Sequence, residues 1–465
     1  MLHVRGVVWV ERLPRLCVIG AGSSGLAAAH ALKVNGIPFD CFEKRDRIGG
    51  IWAFSETPGE SAAYRSLSIN TSRVRTQFAS FPMPEEYPDY PHHSQMNAYF
   101  NAFADHFGLR EHIRLNTGVA RAERRPDTTW QVTLESGEVR HYDALVVANG
   151  HHWDPRFPEP PFPGEFHGTV MHSHTYQDNR ILAGKRVLVV GIGNSASDIA
   201  SESSFVAERT YLSMRRGAIV LPRYVFGMPY DQIKNPGWLP WNLRQPFLEL
   251  AIRLFVGKME QYGLPRPDHR FGEAHPTVSD YLLARVRAGY VTVKPTIAEL
   301  LGDRVRFADG SVEPVDLIIY CTGYKVSFPF FDPGYLSAPK NELPLFRRVF
   351  KPGLENLFFV GLLQPLGSIM PLAEAQSQWI ADYLLGRYAL PSPREMEADI
   401  HREELALHSR YVPSLRHTMQ VDFDTYLYNL SKERKAGARR AAAAGNQRPV
   451  GARAAQDPGR QVSAG

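Results

Sequence analysis

The sequence predicts an α/β protein with two doubly wound, Rossmann-like dinucleotide-binding domains. Two segments, starting at Leu16 and at Lys185, each read as an apolar strand, a glycine turn and a helix. Two later segments, starting at Asp143 and at Asp316, each read as an aspartate, an apolar strand and another glycine turn. A glycine turn before a helix presents backbone amides to a pyrophosphate group. A chain with two such units is therefore predicted to pass electrons between two bound nucleotides.

The first unit has the full spacing of a dinucleotide-binding turn. Gly20, Gly22 and Gly25 follow a short apolar strand, and Ser24 lies among them at the start of a small-residue helix. Glu43 ends the next predicted strand, 23 residues after Gly20, where a carboxylate can accept hydrogen bonds from ribose hydroxyls. We predict that these five residues contact the first nucleotide.

A pair of glycines after the ribose acid indicates which nucleotide this is. Gly49 and Gly50 follow Glu43 by six residues, and an aromatic residue, Trp52, comes soon after them. This arrangement occurs in flavoproteins with two dinucleotide sites, where the backbone has to pass close to FAD. We therefore predict FAD as the first nucleotide, with Gly50 and Trp52 among its contacts.

The second unit carries the features of an NADPH site. Its turn has Ala196 at the third glycine position, which still permits close packing of helix and strand, and its predicted cofactor contacts are Gly191, Gly193, Asn194 and Ser195. Arg215 and Arg216 end the following strand, where an NAD-binding site would place an acid. Because a guanidinium offers a planar fork of donors to a 2′-phosphate, we predict NADPH.

The positive charge of the chain belongs to its C-terminal segment. The 465 residues carry a formal charge of +5, but residues 432–465 alone carry +6, which leaves −1 on the other 431. The charge distribution therefore does not predict nucleic-acid binding. The Ala, Gly, Arg and Gln composition of residues 431–465 predicts a disordered basic tail.

Cysteine usage and hydropathy predict a cytoplasmic protein without a membrane anchor. The three cysteines, Cys17, Cys41 and Cys321, form no C-x-x-C pair, so we expect buried thiols and neither a disulfide framework nor a metal site. No apolar run approaches the roughly 20 residues that a membrane-spanning helix needs.

A histidine-containing motif between the two units resembles a known family fingerprint. Phe166, Gly168, His172 and Tyr176 match the pattern F-x-G-x-x-x-H-x-x-x-(Y/F/W) of the class B flavoprotein monooxygenases. The final tyrosine is similar to the flavin-containing, N- and S-oxygenating members, and the segment 321–324 resembles the late T-G-Y motif of the same family. The resemblance extends from about Leu16 to about Leu385.

The resemblance implies both a reaction and the residues that support it. NADPH would reduce FAD, O₂ would form a flavin hydroperoxide, and this species would oxygenate a soft nucleophile, an amine nitrogen or a sulfide sulfur. Asn70 matches the side chain that lies near the reacting edge of the flavin, and it is the predicted catalytic residue. Further cofactor contacts are implied for Thr322, Gly323, Gln364 and Gln376. His172 and Tyr176 would set domain geometry.

The predicted domain organisation follows from the two units. An FAD domain comprises residues 1–155 and 316–430, and an inserted NADPH domain comprises residues 156–315 with an insertion near 219–295. The small-molecule substrate would be contacted by this insertion and by the loop 64–91. The sequence leaves a homodimer open.

Three alternatives remain open at the level of the sequence. One is Baeyer–Villiger oxygenation of a ketone, and another is a pyridine-nucleotide flavin reductase or oxidase that inserts no oxygen. The third alternative is a non-enzymatic flavoprotein that uses its basic tail for interactions. A disulfide reductase on the same pair of folds is disfavoured because the chain lacks a redox C-x-x-C.

Overall fold

The first glycine turn follows a central strand of a six-stranded sheet. The computed structural model describes residues 10–232, 238, 241–412, 417–447, 450 and 453–454. The strands are ordered Phe350–Lys351, Leu354–Phe359, Ala144–Val147, Leu16–Ile19, Phe39–Phe42 and Ile113–Arg114. All neighbours pair in parallel except the edge strand Phe350–Lys351, which pairs antiparallel. This is the doubly wound arrangement that the sequence predicts.

Both faces of this sheet are covered, which explains the uninterrupted apolar strands Leu16–Ile19 and Ala144–Val147 at its centre. Leu16 and Val18 pack into a core formed with the helices Ser23–Val34, His93–His106 and Met370–Leu384. Cys17 and Ile19 face the opposite core, which includes an antiparallel sheet of the strands Val119–Arg124, Trp130–Leu134 and Val139–Tyr142.

The second glycine turn belongs to a sheet of five parallel strands. Their order is Thr169–His172, Leu317–Tyr320, Arg186–Val190, Arg209–Ser213 and Val291–Lys294. One face packs against the helices Asn194–Val206 and Leu282–Arg287. The other face packs against a four-stranded sheet of Gly164–Phe166, Ile297–Gly302, Arg304–Phe307 and Val312–Pro314. The prediction of two α/β units is therefore confirmed.

Two predicted boundaries differ from the strand pairing. The strand Leu317–Tyr320 pairs with Thr169–His172 and Arg186–Val190, so it completes the second sheet rather than opening the second FAD segment. The strand Val291–Lys294 pairs with Arg209–Ser213, so the predicted insertion 219–295 ends before this strand. The rest of the domain division stays a prediction.

The insertion consists of short elements placed beside the second sheet. They are the paired strands Val220–Leu221 with Thr277–Val278 and Tyr224–Val225 with Met228–Pro229, the helix Trp241–Phe255, and the 3₁₀ turns Tyr230–Gln232 and Met259–Tyr262. The remaining short pairs are Val10–Glu11 with Arg453–Ala454, Asp154–Pro155 with Tyr324–Lys325, and Gln364–Leu366 with Gln420–Asp422.

The predicted disordered tail is wrong in its first part. The helices Arg73–Thr76 and Pro393–Arg410 precede a last helix, which spans Phe423–Ala443. Arg434 of this last helix pairs with Asp382, and Gly437 packs so tightly on the Tyr388 ring that a Cβ there would lie 1.8 Å from it. Residues 448–449, 451–452 and 455–465 lie outside the described residues. Across the described ranges, no helix is long and apolar enough to cross a membrane.

Candidate cofactor sites and active site

The first glycine turn is shaped by close backbone contacts. Gly20 has φ of 102°, and a Cβ at this position would lie 2.7 Å from the carbonyl oxygen of Ala148. A Cβ on Gly25 would lie 1.8 Å from the carbonyl oxygen of Gly20. Only glycine fits these two positions, because any side chain would collide with backbone that cannot move aside. The turn therefore brings the helix tightly onto the sheet.

The helix after this turn begins without a side-chain cap. Gly22 is the N-cap of Ser23–Val34 and makes no side-chain cap hydrogen bond. Gly50 faces it so closely that a Cβ on Gly50 would lie 3.0 Å from the Gly22 Cα. Two glycine backbones thus form a cradle beside free helix amides, which fits a pyrophosphate. The predicted contact Trp52 is half-buried and packs against the core of the first sheet.

Glu43 lies at the mouth of the same turn. Its buried carboxylate accepts a hydrogen bond from the Ala21 amide at 2.8 Å and one from the Arg45 amide at 3.0 Å. A carboxylate has about four acceptor positions, so two remain for ribose hydroxyls. The geometry thus leaves acceptor positions for a ligand, and the role of Glu43 as the ribose acid stays a prediction.

Arg45 is a residue of this site that the sequence did not reveal. Its guanidinium donates to the carbonyl oxygens of Gly50 at 3.0 Å and Ala53 at 2.7 Å. Arg45 therefore fixes the glycine turn opposite Gly22. No motif identified it, although its position two residues after the ribose acid is a usable signal.

The second glycine turn repeats the geometry of the first. Gly191 has φ of 126°, and its Cβ would lie 2.7 Å from the carbonyl oxygen of Cys321, as Gly20 approaches Ala148. Gly193 is the N-cap of the helix Asn194–Val206 and again makes no side-chain cap hydrogen bond. Ser195 is half-buried in the first helical turn. This arrangement also fits a pyrophosphate.

The insertion is attached directly to the second turn. The Asn194 side-chain oxygen accepts from the Val278 amide at 2.9 Å, and the Thr277 hydroxyl donates to the Ile192 carbonyl oxygen. Asn194 was predicted as a cofactor contact, and the structure engages its oxygen within the protein. Its amide NH₂ group is the part left to reach a ligand.

The two candidate phosphate-binding arginines are not equivalent. Both side chains are exposed after the strand Arg209–Ser213. Arg216 is paired with Asp268 at 3.5 Å, whereas Arg215 has no hydrogen bond or ion pair within the described part of the chain. Arg215 is therefore the better candidate for a 2′-phosphate.

Two of the four fingerprint residues, His172 and Tyr176, are buried. His172 is buried at the end of its strand, where its Nδ1 accepts from the His174 amide at 3.0 Å, and burial lowers the pKa of His172 to about 4. Gly168 lies against Asp316, whose carbonyl oxygen would be 2.5 Å from a Cβ, and Phe166 is half-buried beside it. Tyr176 is 1% exposed. His172 and Tyr176 are thus packed in the interior, and their role in setting domain geometry stays a prediction.

The late T-G-Y segment contacts the linker between the two units. The Thr322 hydroxyl donates to the carbonyl oxygen of Arg156, whose own amide donates to Gly323 at 2.9 Å. Gly323 has φ of 83°. Thr322 and Gly323 therefore fix the course of the chain from one sheet to the other, and their predicted flavin contact stays a prediction.

Asn70 lies in a segment that joins the two cores. Tyr64 packs in the core of the second sheet, whereas Ile69 packs in that of the first. The Ser72 amide donates to Asp231 at 2.6 Å. Asn70 itself is half-buried, and no hydrogen bond of its side chain is found among the described residues. Its amide is thus available to a ligand at the junction of the two units.

The two glutamines have different surroundings. Gln364 is half-buried in the short strand Gln364–Leu366. Gln376 is wholly buried, where it accepts from the Gly361 amide at 2.9 Å and donates to the Tyr426 hydroxyl at 2.7 Å. Gly361 lies against Ser24, whose Oγ would be 2.0 Å from a Cβ on the glycine. Gln376 thus supports the backbone beside the first turn.

The chain is similar to known flavin-binding monooxygenases in sequence and in structure. The family model described as FMO-like, flavin-binding monooxygenase-like, matches residues 14–439. Flavin-containing monooxygenase 5 of Mus musculus is 38% identical over 431 residues, which cover 88% of this chain and 80% of that protein. Dimethylaniline monooxygenase (N-oxide-forming) 2 of Oryctolagus cuniculus is 35% identical over 441 residues, covering 90% and 82%. The solved S-allyl-L-cysteine S-oxygenase of Allium sativum has a TM-score of 0.69 at 25% identity and covers 94% of each chain.

Proposed function

This chain belongs to the flavin-binding monooxygenase-like family, and we propose that it oxygenates a soft nucleophile, an amine nitrogen or a sulfide sulfur. As a member of this family it is an FAD-containing monooxygenase that depends on NADPH and O₂. The observation that carries the proposal is the pair of helix N-termini without side-chain caps behind matching glycine turns. The side chain of Asn70, which makes no hydrogen bond to any other described residue, lies between the two cores. The names of two similar proteins, one N-oxide-forming and one an S-oxygenase, support the substrate class.

The chain's own residues would divide the binding of the two cofactors. Contacts to FAD are assigned to the first turn, its ribose acid and the facing glycine, namely Gly20, Gly22, Ser24, Gly25, Glu43 and Gly50. Contacts to NADPH are assigned to Gly191, Gly193, Asn194, Ser195 and Arg215. When bound, FAD supplies the electron transfer and the oxygen activation, and the protein supplies orientation and the exclusion of water.

Asn70 is proposed to orient the reacting groups through its side-chain amide. An amide both donates and accepts hydrogen bonds, but it does not release a proton at neutral pH. It can therefore hold a polar group at the reacting centre without promoting premature loss of reduced oxygen as peroxide. Replacing Asn70 with Ala should leave FAD bound, and it should raise the hydrogen peroxide formed per NADPH consumed. An unchanged peroxide fraction would contradict this role.

The substrate class is tested by turnover of matched compounds. The purified holoenzyme is supplied with NADPH, O₂ and one of three substrates, a tertiary amine, a thioether or a cyclic ketone, and the products are identified by mass spectrometry. We expect an N-oxide or an S-oxide in proportion to NADPH consumed. A lactone as the main product would replace the proposal with Baeyer–Villiger oxygenation. Hydrogen peroxide alone from all three would indicate an oxidase.

The substrate would be contacted by the loop 64–91 and by the insertion that ends before Val291. Both segments adjoin Asn70, because the Ser72 amide is bound by Asp231 of the insertion. Cytoplasmic localisation and a homodimer remain predictions.

A further inference from the structure

The tyrosine that ends the fingerprint binds a helix carboxylate of the second unit. The Tyr176 hydroxyl donates to Glu202 on the helix Asn194–Val206. Glu202 also accepts from the hydroxyl of Ser66. One helical turn earlier, Asp198 accepts from the hydroxyl of Tyr64. The two carboxylates lie on one face of the helix, since residues four apart are neighbours there.

These contacts form one cluster rather than three separate ones. The Tyr64 and Tyr176 rings pack together with centroids 5.7 Å apart. Both side chains are buried, at 3% and 1% exposure. Neither Asp198 nor Glu202 forms a salt bridge with any residue in the described ranges. The carboxylates are therefore held by hydroxyl donors, whose directional hydrogen bonds fix the geometry of the cluster.

The helix in this cluster starts at the second nucleotide site. Its N-cap is Gly193, whose following amides face the predicted pyrophosphate position. Asp198 and Glu202 are one and two turns into this helix, so a ligand that shifts or rigidifies its first turn acts on both carboxylates.

The segment on the other side of the cluster carries Asn70. Tyr64 and Ser66 precede Asn70 by six and four residues. Beyond Asn70, the Ser72 amide donates to Asp231 at 2.6 Å, and Asp231 belongs to the 3₁₀ turn Tyr230–Gln232 of the insertion. Both ends of the Asn70 segment are thus attached by carboxylates of the second unit.

We propose that Tyr64, Ser66, Tyr176, Asp198 and Glu202 form a clasp through which the second nucleotide site positions the segment 64–72, so that NADP⁺ binding and the placement of Asn70 are coupled. The clasp residues are positioning residues, because they contact the helix and the segment rather than the reacting atoms. This role gives a function to the hydroxyl of Tyr176, the last fingerprint residue of this chain. The inference rests on the proposed function for the importance of Asn70, but the coupling itself does not depend on turnover.

The coupling is tested by hydrogen exchange of the FAD-loaded protein, with and without NADP⁺. In the wild type we expect NADP⁺ to slow exchange of the amides in residues 64–72. In the Tyr64→Phe and Tyr176→Phe double variant, which keeps the rings and removes the hydroxyls, this NADP⁺-dependent slowing should fall by about fivefold or more. Slowing that persists unchanged in the double variant would overturn the clasp.

Tyr388→Phe is the matched control for the loss of a buried hydroxyl. Tyr388 is buried, and its hydroxyl donates to Glu433 at 2.7 Å in the C-terminal helix; among the described residues it makes no hydrogen bond or ring contact with segment 64–72. This variant should lose thermal stability comparably and yet keep the full NADP⁺-dependent slowing. An equal loss of slowing in the control would show a general effect of destabilisation, and it would overturn the clasp.

A second readout separates this inference from the proposed function. In turnover with a substrate, the clasp variants should raise the peroxide fraction while the anaerobic rate of flavin reduction stays within about twofold. Combined with Asn70→Ala, their effects should be less than additive.

If Asn70→Ala has no effect while the exchange coupling is lost in the clasp variants, the catalytic role of Asn70 fails and the clasp stands. If Asn70→Ala uncouples but the clasp variants do not change the exchange, the clasp alone fails.

Discussion

Asp198 is a carboxyl whose surroundings determine its charge. Burial raises the pKa of Asp198 to about 6, an effect opposed by the hydrogen bond from Tyr64 and by Arg223. In the unfolded chain an aspartate titrates near ~3.9. The folded protein therefore binds this proton more tightly. Its contribution to the free energy of unfolding is largest below about pH 4 and is lost as the pH rises to about 6.

The Asp198→Asn variant tests this titration. The introduced amide keeps an acceptor for the Tyr64 hydroxyl and carries no charge, so the variant should gain stability relative to the wild type as the pH rises. We expect the difference in unfolding free energy, variant minus wild type, to be about 1 kcal/mol or more higher at about pH 7.5 than at about pH 4.5. Chemical denaturation at both pH values measures it, and an equal difference at both would contradict the assignment.

Arg215 and Arg216 allow a second test at the scale of one residue. Charged hydrogen bonds contribute about 1.5–3 kcal/mol, so Arg215→Ala should raise KM for NADPH by roughly 10- to 100-fold. KM for NADH should change little, because NADH lacks the 2′-phosphate. Arg216→Ala is the control, since Asp268 already engages Arg216, and it should have the smaller effect. Equal losses with both cofactors would refute the 2′-phosphate role of Arg215.

At the scale of elements, the two glycine turns depend on contacts that no larger residue permits. Gly50 combines φ of 55° with its close approach to Gly22. A side chain at Gly50 adds backbone strain of about 1–2 kcal/mol and fills the cradle, so Gly50→Ala should weaken FAD binding by about tenfold or more. Fluorescence titration of the apoprotein with FAD measures this.

Gly137→Ala separates strain from the loss of the cradle. Gly137 has φ of 86° in a hairpin turn, and a Cβ there would meet no atom within 4 Å. Gly137→Ala should therefore carry a similar backbone strain while FAD affinity stays unchanged. If it weakens FAD binding as much as Gly50→Ala does, the effect arises from stability and not from the site.

Elements were predictable from the sequence where one short pattern determines them. The strand Leu16–Ile19, its glycine turn and the acid at the end of the next strand lie within about thirty residues, and their spacing alone predicts them. The strand Leu317–Tyr320 shows the limit of this approach. Its own sequence indicates a buried parallel strand, but not which of two similar sheets it joins, because pairing depends on the partner strand.

The C-terminal helix shows a second limit, which comes from composition. Residues 431–443 are rich in Ala, Arg and Lys and have no apolar side chain larger than that of Ala, a composition that indicates disorder when read alone. The helix is stabilised by contacts with distant residues, including the Arg434–Asp382 pair and the packing of Gly437 on Tyr388. Ala, Arg and Lys also have high helix propensity, so the same residues fit either outcome.

At the scale of the whole molecule, the contacts that join the two units could not be predicted. Tyr64 and Asp198 are 134 positions apart, and Ser72 and Asp231 are 159 apart, so no local spacing relates them. The sequence identifies the nucleotide sites because each is formed by one local unit. It does not identify the junction, because each contact there needs both folded units.

The central claim, that this protein inserts one atom of O₂ into an amine or a sulfide, is tested most directly with ¹⁸O₂. The holoenzyme is supplied with NADPH, ¹⁸O₂ and a tertiary amine or thioether, and the isotope content of the product is measured by mass spectrometry. We predict one ¹⁸O atom in each N-oxide or S-oxide, with one NADPH consumed for each product molecule. A product that carries oxygen from water, or NADPH oxidation that yields hydrogen peroxide and no oxygenated product, would contradict the claim.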